Sequence, residues 1–244
     1  MMMVFVYVVM KEHKLNRTGV ENNPCLYYYY IVRNTSQNKE RKMCMENTRA
    51  QMPNPFMEPQ LNDLISVVET RNIHFAKAFS RDYCLEIIDL LKKLESYDSL
   101  MKTPQDNLYI RITICSEGGS ILALFSLLEQ IEHMKEIGYT VHTHSNFAAS
   151  CGFILHCSGN YKTCSEFAVL LNHQGSSMTR GTVMEMRTDL HFTEMLENKI
   201  NDYLRKNTRM TEEEIQRPAR TNLDVWYNAE DALRIGVVDK IINL

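Results

Sequence analysis

The chain has 244 residues, of which 44% are hydrophobic and 23% charged, with a formal net charge of −3. This length and apolar content suffice for one well-packed core. Positive and negative charges nearly balance, and Lys and Arg form no large cluster, so we expect no nucleic-acid partner. The apolar run at residues 1–10 is only about half as long as a bilayer requires, and its charges come after it. We therefore expect neither a membrane span nor a signal peptide.

The composition changes near residue 60 and divides the chain into two predicted parts. Residues 11–60 are rich in Asn, Met and charge and end in the breakers Pro53, Asn54, Pro55 and Pro59. We predict a poorly structured or auxiliary N-terminal extension over residues 1–60 and a single compact domain over residues 61–244.

Strand-like and helix-like segments alternate through this second part. Predicted strands lie at 73–79, 108–115, 138–144 and 169–171, and predicted helices at 82–95, 120–137 and 182–206. Apolar residues at helical spacing are predicted to face the core: Leu85, Ile88, Leu91 and Leu94; Leu124, Leu127, Leu128 and Ile131; Met186, Leu190, Leu196 and Ile200. This alternation predicts an α/β fold built from right-handed βαβ units.

Ser150 is the first candidate for catalysis. It stands among small residues, Ala148-Ala149-Ser150-Cys151-Gly152, between the predicted strand and a short apolar helix. Free backbone N–H groups at a helix N-terminus could stabilise an oxyanion formed beside this serine. The alternative is an ordinary helix cap, a position that serine often occupies.

Two further segments supply a base and an acid. His173 follows a short apolar strand, and Asp224 precedes an aromatic pair and a capped helix. A serine hydroxyl needs a base within hydrogen-bond reach and a third group to orient that base, so Ser150, His173 and Asp224 could act as nucleophile, base and acid. Taken singly, His173 could be a structural histidine and Asp224 a turn or cap residue.

The three segments together resemble the Clp protease proteolytic subunit family, a group of self-compartmentalising serine peptidases. In that family the nucleophile lies in Ala-Ala-Ser-Met-Gly, the base in His-Gln-Pro, and the acid before Ser-Ala-x-Glu-Ala. The fourth motif, Asn-Ser-Pro-Gly-Gly-Ser, has its counterpart in the segment 115–120, Cys-Ser-Glu-Gly-Gly-Ser. The resemblance runs from about residue 72 to the C-terminus.

The resemblance implies both a fold and a mechanism. The fold is of the Clp/crotonase type, with stacked ββα units and a protruding handle helix, here 182–206. The implied activity is hydrolysis of peptide bonds in unfolded proteins by Ser150, His173 and Asp224. The oxyanion hole would use the backbone amides of Cys151 and Gly119, with Gly118 as a possible alternative to Gly119.

The resemblance also implies partners. Family members form heptameric rings, stacked in pairs, and receive unfolded polypeptides from an AAA+ Clp ATPase unfoldase. We expect no cofactor in the subunit itself, because ATP is used by the unfoldase, and we expect a cytoplasmic homo-oligomer. Two alternatives remain: a maturation protease of this type that acts without an unfoldase, and a non-catalytic ring partner.

Departures from the family pattern affect rigidity more than chemistry. Glu117 and Gly175 replace prolines, and Leu223 replaces an arginine next to the acid that is linked to contacts between rings. Cys151 replaces methionine and could itself be a nucleophile, although its side chain should point away when Ser150 faces the base.

The cysteines and the pair His142-x-His144 raise the question of a metal site. No CxxC or HExxH spacing is present, so we expect no metal. An odd number of cysteines without a secretory signal predicts reduced thiols, most of them in the core. The seven cysteines are Cys25, Cys44, Cys84, Cys115, Cys151, Cys157 and Cys164.

Overall fold

The computed structural model describes residues 5–10, 28–33 and 59–242 of the chain. The chain divides into two units, Met1–Asn54 and Pro55–Leu244. In the first unit, β1 (Phe5–Met10) pairs antiparallel with β2 (Tyr28–Arg33). This strand pair was not predicted. The rest of the first unit lies outside the described residues, and the prediction of a poorly structured or auxiliary extension over 1–60 stays a prediction.

The second unit alternates helices and strands. Its helices are α1 (Pro59–Thr70), α2 (Arg81–Met101), α3 (Ile121–Glu136), α4 (Cys151–His156), α5 (Val183–Asn207), α6 (Glu212–Thr221) and α7 (Ala229–Arg234). Its strands are β3 (Asn72–Phe75), β4 (Tyr109–Ser116), β5 (Thr140–Ala149), β6 (Tyr161–Asn172), β7 (Val225–Asn228) and β8 (Lys240–Ile242). Within the described ranges, no helix combines the length and the apolar character needed to cross a membrane.

The six strands form one sheet in the order β3-β4-β5-β6-β7, with β8 beside β6. Strands β3, β4, β5 and β6 run parallel, β8 is parallel to β6, and β7 is antiparallel to β6. Parallel neighbours need a crossover connection, and α2, α3 and α4 lie between successive strands. The predicted α/β fold is confirmed.

The helices between the strands bury one side each. Helix α3 begins at the cap Ser120, whose hydroxyl accepts a hydrogen bond from the Ala123 N–H. Its four predicted core residues, three leucines and one isoleucine, are all buried. Helix α2 continues to Met101, six residues beyond the predicted end. The prediction that Leu85 faces the core is wrong: Leu85 is 49% exposed, and Ile87 is buried in its place.

Helix α5 carries a capping box in which Thr182 and Glu185 bond reciprocally. Its C-terminal half packs on the domain through the buried Leu196 and Leu204. The prediction that Met186 and Leu190 are core residues is wrong, because these side chains are 38% and 58% exposed. Every residue of α5 from 183 to 192 is exposed, so the first half of the helix protrudes as the resemblance implied.

Candidate active site

The parallel strands β5 and β6 end at the same edge of the sheet, and a candidate residue follows each of them. Ser150 comes directly after Ala149, the last residue of β5, and His173 directly after Asn172, the last residue of β6. The Ser150 N–H donates to the Leu171 carbonyl at 3.0 Å, which continues the strand pairing past the end of β5. The carboxyl edge of a parallel sheet is where α/β proteins bind ligands.

Ser150 occupies a strained backbone conformation. Its φ of 56° and ψ of −121° are rare for a residue with a side chain, and such strain persists only where the surrounding structure enforces it. The sharp strand-to-helix turn presents the side chain above the sheet. Ser150 is the N-cap residue of α4, but its side chain makes no capping hydrogen bond to that helix, so the hydroxyl does not act as an ordinary cap.

Two glycines make close backbone contacts here, Gly118 against Ser150 and Gly119 against Phe79. Gly118 and Gly119 have φ angles of +105° and +143°. A Cβ atom added to Gly118 would lie 2.6 Å from the Ser150 Cβ and 3.1 Å from its Oγ. The segment is fixed by Phe79, whose N–H donates to the Gly118 carbonyl and whose carbonyl accepts from the Ser120 N–H, both at 2.8 Å. Only a glycine allows the backbone to approach the serine this closely.

The amide groups around Ser150 differ in their hydrogen bonding. The Gly118 N–H donates to the Ser116 hydroxyl at 3.3 Å. In residues 59–242, neither the Gly119 N–H nor the Cys151 N–H donates to a protein acceptor. Cys151 is the first residue of α4, where backbone N–H groups have no partner inside the helix. Two donors beside Ser150 are therefore free for an external acceptor, while the Gly118 amide is used internally.

The pairing of β6 with β7 brings His173 and Asp224 together. Asn172 lies opposite Val225 in this antiparallel pair, so the adjoining His173 and Asp224 are neighbours at the sheet edge. The His173 Nδ1 lies 3.6 Å from the Asp224 Oδ1, within ion-pair distance but longer than a hydrogen bond. Within the described part of the chain, no hydrogen bond joins His173 to Ser150. The His–Asp pair is thus assembled, and the serine stands one strand away without a bond to it.

Cys151 does not have the properties of a nucleophile. Its thiol is buried and donates to the Gly119 carbonyl at 3.2 Å. Burial raises the pKa of this thiol to about 11, so it stays protonated at neutral pH, whereas a cysteine nucleophile acts as the thiolate. The alternative of a Cys151 nucleophile is wrong.

The other described cysteines mostly lie in the core. Cys84, Cys157 and Cys164 are also buried, as predicted for thiols of the core, whereas Cys115 is exposed.

His142 and His144 lie on one face of β5 and share a single partner. The His142 Nε2 and the His144 Nδ1 lie 2.8 Å and 2.9 Å from the Thr163 hydroxyl. Burial, followed by the nearby Arg111 charge, lowers the pKa of His142 to about 4. Over the described ranges, no group of three or more His, Cys, Asp or Glu side chains could hold a metal ion.

A pocket next to His173 was not predicted from the sequence. Helix α5 contributes Glu197, Ile200 and Asn201, and helix α6 contributes Ile215 and Pro218. The helical spacing of Ile200 marked it as an inward-facing residue, but Glu197 carries no such signal, because a glutamate on an amphipathic helix normally faces solvent. The α6 residues could not be assigned, because their position depends on how two helices pack.

The six-stranded sheet with its protruding helix, and the serine on a strained turn beside two glycines, define a protein of the Clp/crotonase fold. The chain belongs to the Clp protease family, whose family model matches residues 57–244. The resemblance stated from the sequence is confirmed.

The chain is similar to several bacterial relatives. It is 30% identical to the ATP-dependent Clp protease proteolytic subunit 1 of Chlamydia muridarum over 199 residues, covering 78% of this chain and 97% of the relative. The subunit of the same name from Chlamydia trachomatis serovar D is 29% identical over the same fractions of the two chains, 78% and 97%. The ATP-dependent Clp protease proteolytic subunit 2 of Treponema denticola is 25% identical over 71% of this chain and 82% of the relative.

Proposed function

We propose that the chain is a serine endopeptidase, the proteolytic subunit of an ATP-dependent protease of the Clp type. The observation that carries the proposal is the strained Ser150 turn, held against Gly118 at the same sheet edge as the His173–Asp224 pair. A hydroxyl nucleophile, a base with an acid behind it, and free amides are the parts that acyl transfer needs.

The reaction begins when the Ser150 Oγ attacks the carbonyl carbon of the scissile peptide bond. His173 takes the hydroxyl proton at Nε2, because its Nδ1 faces Asp224. Asp224 orients the ring and stabilises the imidazolium that forms. Catalytic hydrogen bonds are often long in free enzymes, and a shift of about 1 Å closes the His173–Asp224 contact when substrate binds.

The tetrahedral oxyanion receives hydrogen bonds from the Gly119 and Cys151 amides. These donors have no acceptor in the described part of the chain, so binding the oxyanion breaks no existing hydrogen bond of theirs as the charge develops. The intermediate then collapses to an acyl-enzyme on Ser150, and His173 passes its proton to the leaving amine. Water, activated by His173, hydrolyses the ester and restores the serine.

The family membership supports the rest of the proposal. The relatives carry the name of proteolytic subunits of an ATP-dependent protease, and we extend this to the present chain. The subunit forms rings in the cytoplasm, holds no cofactor, and receives unfolded polypeptides from a Clp ATPase that uses ATP. The exposed first half of α5 offers an uncovered surface for contacts between subunits.

A fluorophosphonate probe tests the proposal. The probe should form an adduct on Ser150, identified by mass spectrometry, and Ser150→Ala and His173→Ala should each abolish it. No adduct on the assembled protein would contradict the proposal and favour a non-catalytic ring partner.

A second experiment tests the dependence on an unfoldase. Adding a Clp ATPase with ATP should stimulate casein degradation. Degradation that is independent of the ATPase would instead favour a maturation protease.

A further inference from the structure

The pocket beside His173 combines apolar walls with one carboxylate. Ile200, Ile215 and Pro218 form its apolar part, and Glu197 is the carboxylate that lines it. The pocket adjoins the candidate base, since Asn172, His173 and Gln174 form its wall on the side of the sheet edge. Because a general base lies beside the bond that is cleaved, a pocket walled by His173 adjoins the position that the substrate would occupy.

Glu197 is incompletely paired. Its Oε2 accepts a hydrogen bond from the Gln174 side chain at 3.3 Å. Its Oε1 is buried and has no donor among the residues that the structure describes. A buried carboxylate oxygen without a donor is destabilising, because it has lost its hydrogen bonds to water and forms none within the protein. A ligand that brings a positive charge to this carboxylate reduces this destabilisation.

The charge of the pocket indicates which class of ligand group would bind Glu197. Apart from His173, which the mechanism uses as a base, no lining side chain is basic. The Glu197 charge therefore lacks a dedicated counter-ion in the pocket, and a cation binds a carboxylate more strongly than a neutral donor does. The apolar walls suit a side chain with a hydrocarbon stem below the charge, and lysine and arginine have this form.

We infer that Glu197 makes this protein selective for a lysine or arginine side chain next to the scissile bond. The stem of that side chain packs on Ile200, Ile215 and Pro218, and its charged end pairs with the Glu197 carboxylate. The inference rests on the proposed peptidase activity and names its substrate class. Glu197 is then a residue for specificity and takes no part in the proton transfers.

The test is a digest of a library of short peptides of mixed sequence, which need no unfolding. Cleavage sites are read by mass spectrometry for the unchanged protein and for Glu197→Gln, which keeps the shape of the side chain and removes its charge. The matched control is Glu194→Gln, an exposed position on the same helix outside the pocket. Fluorophosphonate labelling of Ser150 is measured on all three proteins.

We expect lysine and arginine to be enriched at one fixed position beside the cleaved bond. For two peptides that differ only by lysine or norleucine at that position, Glu197→Gln should lower kcat/KM for the lysine peptide by about 10-fold or more. The norleucine peptide should change little, and Glu194→Gln should leave both unchanged.

The outcomes separate this inference from the proposed function. In either of two outcomes Ser150 is labelled and peptides are cleaved, but the role of Glu197 is overturned. In the first, cleavage shows no preference for lysine or arginine. In the second, that preference survives in Glu197→Gln. Labelling without cleavage of any peptide, or no labelling at all, would contradict the peptidase activity and this inference with it.

Discussion

Gly118 lies so close to Ser150 that no side chain fits at this position. A Cβ atom there would meet the Ser150 Cβ at 2.6 Å and the Ala149 carbonyl at 3.0 Å, and the φ of +105° is strained for any residue but glycine. We therefore expect Gly118→Ala to displace the nucleophile and reduce fluorophosphonate labelling of Ser150 about 100-fold. The free energy of unfolding should fall by only ~2 kcal/mol, the cost of local backbone strain.

Gly175 provides the matched control for this substitution. It is also a glycine near the site, but a Cβ atom added there would meet nothing within 4 Å. Gly175→Ala should leave both labelling and stability close to those of the unchanged protein. Full labelling of Gly118→Ala would show that the approach of Gly118 to Ser150 does not determine the nucleophile's position.

Asp98 links three elements near the amino ends of the strands. It is buried near the end of α2 and accepts hydrogen bonds from Arg71, which precedes β3, at 2.5 and 2.7 Å. It also accepts from Tyr139, which precedes β5, and from Thr103 at 2.7 Å. Burial acts to raise the pKa of Asp98, but these hydrogen bonds outweigh it and hold the pKa below its ordinary value.

The lowered pKa of Asp98 sets the sign of a pH effect. The contribution of Asp98 to stability is fully present above the pKa of an unfolded aspartate, about 3.9, and is lost as the pH falls through the lower pKa of the folded protein. We expect Asp98→Asn to cost about 3 kcal/mol at pH 7, because the partly buried Arg71 is left without its charge partner. Urea unfolding of both proteins at pH 7 and at pH 3 measures the loss of stability caused by Asp98→Asn, and this loss should be smaller at pH 3.

Asp89 lies on the same helix and forms an exposed pair with Lys93 at 2.6 Å. Because exposed pairs contribute little, Asp89→Asn should change the free energy of unfolding by less than about 1 kcal/mol at either pH. A cost for Asp98→Asn as small as this, or one that does not decrease at low pH, would contradict the role given to the Asp98 network.

Helix α5 shows where a periodic pattern stops being informative. Its apolar residues recur at helical spacing throughout, and the sequence predicted one continuous inward face. Leu196 is buried, whereas Leu190 is 58% exposed, because the helix leaves the domain along its length. Periodicity shows that a helix has an apolar side, but not whether this side is covered by the same chain.

Much of the second unit could be predicted from local sequence, because its signals are local. Alternation of strands and helices determined the α/β class, and four short motifs in order identified the family. What could not be predicted depends on contacts between distant segments. The 3.6 Å separation of His173 from Asp224 depends on how β7 pairs with β6, and the pocket at Glu197 depends on how α5 and α6 pack. Neither is encoded in the spacing of residues along the chain.

The core of the second unit draws on residues from Val67 onward, and the Clp protease family match begins at residue 57. We expect a chain that begins at Pro55 to keep the cooperative unfolding and the Ser150 labelling of the full chain, with a Tm within about 4 °C. As a control, a chain that begins at Asn72 also lacks the buried Val67 and the Arg71 partner of Asp98. Its Tm should therefore fall well below the Tm of the chain that begins at Pro55. Differential scanning calorimetry measures both. A large loss of stability in the chain that begins at Pro55 would mean that residues 1–54 are needed for the fold of the second unit.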